Sequence, residues 1–155
     1  MEFQIVALDS GLFSDLYGLD DETLGSRGAV RHLVDEKPGF PCRVSLVDAE
    51  IGETVLLLNY VHQPADTPYR SSHAIFVREG AETFAPKKGE VPDQLRVRTL
   101  SVRAFDNRGM MLDAGLTSGK NLEGLVDQFF DTKSVEYLHV HNAGRGCYAA
   151  TIERA

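Results

Sequence analysis

A chain of 155 residues, 43% apolar and 25% charged, has the length of one domain and the balance of an ordinary globular protein, which excludes disordered and fibrous classes. Its formal net charge of −7 argues against nucleic acid as a partner, because that affinity rests on Lys and Arg neutralising phosphates. No apolar run exceeds four residues, as in Val55–Leu58, against the ~20 that a membrane helix needs, so no membrane partner is expected.

The charge is unevenly placed. Residues 1–60 carry 11 acids and 4 bases, whereas residues 61–155 carry 12 of each, so the second part can present a local basic surface to an anion. Two cysteines predict no disulfide framework. The opening MEFQIVALD has an acidic second residue and no basic flank, unlike a secretory signal. A cytoplasmic location is expected.

In chain order, Phe3–Leu8 reads as a first strand. Asp9 and Ser10 can cap a short helical turn whose apolar residues are Leu12, Phe13, Leu16 and Tyr17, with Gly18 to end it. Ala29–Val34 reads as a short strand. Pro38, Gly39 and Pro41 turn the chain and place Cys42 at the mouth of the next strand, with Arg43–Leu46 opening the central part. After a turn over Asp48–Glu53 comes the most apolar strand, Thr54–Val61, paired with a second apolar run, Ala74–Arg78. The connector between them, His62–His73, is long against a median of about 4–6 residues. Its Tyr69, Arg70, Ser71, Ser72 and His73 would make a polar wall around a pocket.

Gly80–Pro92 reads as an exposed polar connector. From Leu95 to Asp106 the alternation slips once: Leu95 and Val97 share one parity, and Leu100, Val102 and Ala104 the other. A β-bulge near Thr99 would return all five to one face and project Arg96, Arg98 and Arg103 together from the opposite face. Asp106–Gly109 has the composition of a hairpin turn, returning through Met110–Leu112. Leu122, Leu125, Val126, Phe129 and Phe130 recur at i, i+3, i+4, i+7 and i+8 and predict one amphipathic helix, with Glu123, Asp127 and Asp131 on its other side. Val135–Asn142 and Cys147–Arg154 close the chain as a second hairpin. Strands joined by hairpins, with one clear helix near the C-terminal third, predict a single α+β domain with a mostly antiparallel sheet.

Ala114–Asn121, AGLTSGKN, resembles a phosphate-binding loop but lacks its first glycine and its closing Ser or Thr, so it reads as a helix cap. The last hairpin is richer in chemistry. If its turn spans three or five residues within Asn142–Gly146, His141 lies opposite Cys147 and His139 opposite Ala149. Tyr137, His139, His141, Cys147 and Thr151 then share one face, and Leu138, Val140, Tyr148, Ala150 and Ile152 face the core. A His-x-His pair with a cysteine can supply three zinc-type donors. No acidic fourth ligand follows at short spacing and no Cys-x-x-Cys is present, so the sequence assigns neither a metal nor a cofactor. A thiol beside an imidazole is alternatively a nucleophile pair, with Cys147 or Cys42 attacking and His141 or His62 as base. The glycines around Arg145 allow successive backbone N–H groups to converge into an anion nest, or simply form the hairpin turn.

The strings GFPCRVSLVDAE, GETVLLLNYVHQ, PYRSS and IFVRE, with the closing HNAGRGCYAATIER, resemble a family catalogued as domain of unknown function 1203. The likeness runs from about Asp35 to the end of the chain. It implies a bacterial, intracellular, single-domain protein and transfers no role to any residue.

The leading expectation is a small domain that binds an anionic small molecule or peptide group. Arg70, Arg145 and Arg103 would supply charge, and Tyr69, His62 and His141 would shape the pocket. The alternatives are a cysteine- and histidine-dependent enzyme using Cys147, Cys42 and His141, and a structural or partner-binding module without chemistry. The oligomeric state is not specified by the sequence.

Overall fold

The computed structural model describes residues 2–155. They form an α+β protein of mostly antiparallel sheets and short helices, organised in two compact units. The first unit comprises residues 2–6, 61–73 and 86–155, and the second residues 7–60 and 74–85.

The first unit is built on a five-stranded sheet in the order β1-β8-β7-β5-β6, antiparallel at every pairing. Its strands are β1 (Phe3–Val6), β5 (Thr99–Phe105), β6 (Met111–Ser118), β7 (Tyr137–Asn142) and β8 (Tyr148–Arg154). Alternation along these strands gives the sheet two different faces. Ile5, Leu100, Val102, Ala104, Leu138, Val140, Ala150 and Ile152 are fully buried. Helix α3 (Leu122–Phe130) is the expected amphipathic helix and buries Leu122, Val126, Phe129 and Phe130. It packs beside β6, where the missing side chain of Gly115 leaves room for Leu125 and Phe129.

Arg154 closes the far end of α3. Its guanidinium donates to the carbonyls of Phe130, Thr132 and Val135 and lies 4.6 Å from the Phe130 ring centroid. A cation at a helix C-terminus satisfies carbonyls that have no intrahelical donor.

Two expectations fail in this unit. The parity slip after Val97 is not a bulge near Thr99 but a helical turn, α2 (Asp93–Arg96), that ends before β5 begins. A helical turn and a bulge both shift parity by one. The arginines therefore part company: Arg96 pairs with Glu123 of α3, Arg98 donates to the Gln94 carbonyl, and Arg103 stays on the sheet. The second failure is the register of β7 and β8. His139 pairs with Thr151 and Val140 with Ala150, then a bulge sets His141 against Tyr148. Neither His139–Ala149 nor His141–Cys147 forms.

The second unit contains α1 (Asp21–Ser26), capped by the Asp20 carboxylate on the Thr23 amide, and β2 (Val30–Leu33). β2 belongs to a three-stranded sheet in the order β2-β3-β4, where β3 is Thr54–Gln63 and β4 is Ser71–Arg78. Leu16, Leu24, Ala29 and Leu56 form one apolar cluster, and Val34, Ala49 and Val55 another. The region opening at Arg43 is not a strand. Isolated bridges hold Pro41 to Asp48 and Cys42 to Phe76, and Leu46 turns the chain at φ 52°.

Candidate metal centre

Four of the five histidines meet in the first unit. The ends of β3 and β4 that belong to it carry His62 and His73, one on each side of the 64–70 loop. β7 supplies His139 and His141 on the face opposite the apolar core. That face is covered, not open: His139 is 4% exposed and His141 is fully buried. The His62 ring makes edge contacts with His139 and His141, at centroid distances of 5.7 and 4.9 Å, and lies parallel to Tyr148 at 5.2 Å.

One ring nitrogen from each of His62, His73 and His141 lies within 4.8 Å of the other two. Nε2 of His62 and Nδ1 of His73 are 2.7 Å apart and share a hydrogen bond. Nδ1 of His141 is 2.9 Å from the Gly146 carbonyl. A carbonyl only accepts, so this nitrogen carries the proton, and the lone pair of the neutral ring sits on Nε2. That Nε2 is buried and has no hydrogen-bond partner. A ring nitrogen fixed by a backbone carbonyl, with the other left bare, is how proteins orient a metal-ligating histidine.

Burial keeps His62, His139 and His141 neutral. It pulls His62 down to about 4, and His139 and His141 to about 3, with the positive charge of Arg103 acting in the same direction. A neutral imidazole is the form that ligates a metal. Nδ1 of His62 and Nδ1 of His139 are also buried without a partner, and each such atom costs about 1–3 kcal/mol. An apolar replacement would pack the same space at less cost, so the cluster calls for a functional explanation.

Beside the cluster a cleft of about 750 Å³ is lined by His62, His139, Tyr137 and Thr151, with Arg108 and Arg154 along its wall. Arg108 is tied to Asp106 and Arg154 to backbone carbonyls. His62, 7% exposed, and His139 form the inner end of the cleft.

The other candidate residues lie as follows. Arg103 is the direct cross-strand neighbour of His139. Tyr69 meets Phe105 edge-on at 6.5 Å, and Arg70 donates to the Pro64 carbonyl within the 64–70 loop. Arg145 is exposed in the β7–β8 turn. Neither Arg70 nor Arg145 lines the cleft. Cys147 precedes β8, with its Sγ 3.7 Å from the side-chain nitrogen of Asn142. Cys42 belongs to the second unit, where its buried Sγ lies 3.4 and 3.2 Å from the amides of Ser45 and Arg78.

Of the clustered residues, the sequence marks His62 and His141 as candidates, whereas it places His73 in a loop wall and Tyr148 on the core face. The signal for His73 was its position: His62 and His73 close the two ends of one hairpin, and antiparallel pairing brings such ends together. For Tyr148 there was none, because strict alternation hides a bulge.

The fold and site together define an α+β protein of antiparallel sheets with a buried histidine cluster beside a cleft. The chain belongs to the family described as protein of unknown function DUF1203, which matches residues 39–154. The matched span contains all four clustered histidines. No curated protein and no solved structure matches the chain.

Proposed function

We propose that this protein binds a first-row transition metal, zinc foremost, through His62, His73 and His141. The observation that carries the reading is the convergence of three ring nitrogens within 4.8 Å, one of them a bare, buried Nε2 oriented by the Gly146 carbonyl. Imidazole is a good donor for zinc and its neighbours in the first row. Tetrahedral zinc with bonds of about 2.0–2.1 Å sets its nitrogens about 3.3 Å apart. To hold the ion, the His62–His73 pair would open slightly from its 2.7 Å hydrogen bond and His141 would move in. One of the two rings would change tautomer, so that both could offer a lone pair to the ion. Three histidines leave the fourth position open, which is the arrangement of a zinc centre that handles an exogenous ligand.

The test is zinc retention after dialysis, measured as metal per chain by elemental mass spectrometry, with affinity from calorimetry. One equivalent is expected for the wild type. His73→Ala and His141→Ala should each lose more than the ~10–100-fold in affinity that attaches to a mere supporting partner. Cys147→Ala should bind as the wild type does. No zinc on the wild type, or undiminished binding by both histidine variants, overturns the reading.

A further inference from the structure

The metal reading leaves Arg103 without a role. Arg103 and His139 are directly paired across β5 and β7, so both side chains leave the sheet on the histidine face. The side chain is partly buried and, among the described residues, makes no hydrogen bond and no ion pair. Other arginines of this unit are engaged: Arg96 with Glu123, Arg98 with the Gln94 carbonyl, Arg108 with Asp106. A guanidinium drawn out of water without a counter-ion is unfavourable unless something anionic joins it.

The charge count of the centre points the same way. Three neutral histidines leave the two positive charges of a divalent ion uncompensated, and the converging donor set contains no carboxylate. Arg103 adds a third positive charge. The acids of the neighbouring cleft, Glu136 and Glu153, are both exposed and solvated. The cleft meets the centre at His62 and His139 and gives space beside it for the body of a ligand.

We infer that the open metal position takes an oxyanion, a carboxylate or phosphate group, with one oxygen on the ion and another on the guanidinium of Arg103. The inference rests on the metal reading. Planar guanidinium matches the two-oxygen edge of either group. No covalent step is involved; the ligand replaces water at the ion.

The experiment uses the full chain loaded with cobalt(II), whose visible ligand-field absorption reports its coordination sphere, titrated separately with sodium acetate and inorganic phosphate. In the wild type one of the two anions should change the spectrum saturably, and which one responds separates carboxylate from phosphate. Arg103→Gln should show the same cobalt spectrum before anion is added but need ~10–100-fold more anion for the same change, as expected for losing a charge-assisted contact. Arg103→Lys, which keeps the charge but not the fork, should fall between. A normal cobalt spectrum that neither anion alters, or one that Arg103→Gln alters at wild-type concentrations, overturns this inference and leaves the metal reading standing. No cobalt absorption in the wild type overturns both.

Discussion

Glu79 concentrates the electrostatics of the second unit in one carboxylate. It accepts hydrogen bonds from Arg31 Nε at 2.6 Å, the Gly18 amide at 2.8 Å and the Thr54 hydroxyl at 3.0 Å. These contacts, Arg31 foremost, hold it down at about 2, against an ordinary 4.5. Because the folded value is the lower one, the carboxylate contributes fully above the unfolded value and loses that contribution as pH falls from about 5 towards 2. Glu79→Gln should therefore cost on the order of 2–3 kcal/mol at pH 7, and the gap from wild type should narrow at pH 3. Urea titrations of both proteins at the two pH values measure it. An equal gap at both would show that shape, not charge, is what Glu79 supplies.

At the scale of elements, Gly119 stands where a helical turn meets a strand end. It opens the short 3-10 turn Gly119–Asn121 between β6 and α3, and its amide donates to the Arg98 carbonyl at 2.8 Å. A Cβ at this position would collide with the backbone of Leu95 and Arg96 in α2. Backbone cannot step aside as a side chain can, so Gly119→Ala should destabilise by about 2–4 kcal/mol, read from its denaturant midpoint. Gly124→Ala, with open space around its Cβ, should be neutral or slightly stabilising, since alanine favours helix.

The contrast between α3 and α2 also explains what was legible in the sequence. α3 declares itself because five apolar residues repeat over nine positions. α2 spans four residues, too few to show a period, and its parity shift mimics a bulge. The apolar runs located β3, β4 and the closing hairpin for the same reason that α3 was located. The exact pairing of β7 with β8 was not legible, because it turns on one extra residue whose composition is unremarked in the chain. The site was therefore half visible: two of the three converging histidines, His62 and His141, lay among the candidates. What brings them together is the contact of His62 and His73, in residues 61–73, with His141 of β7 inside the first unit.

For the molecule as a whole, the proposed metal binding would be linked to folding of the first unit. An ion that binds only the folded form at 100 times its dissociation constant adds about 2.7 kcal/mol, which for a chain of this size is a rise of roughly 5–10 °C in Tm. Differential scanning calorimetry with zinc and then with excess chelator should show this rise and its reversal. Hydrogen exchange should slow in β7, β8 and residues 61–73. Unchanged exchange there, or a slowing spread evenly over residues 7–60, would place the ion elsewhere.

The bulge between Val140 and His141 decides which elements of the periodic table suit the site. Without that extra residue, alternation would return Cys147 to the histidine side. With it, the phenol ring of Tyr148 lies against His62 and the sulfur stays beside Asn142. A purely nitrogen donor set disfavours soft ions such as cuprous copper relative to borderline divalent ones, and it holds nothing that peroxide readily oxidises. A centre of this composition would keep its ion through oxidative stress that strips thiolate-bound zinc, and it would owe that durability to a single inserted residue in a hairpin.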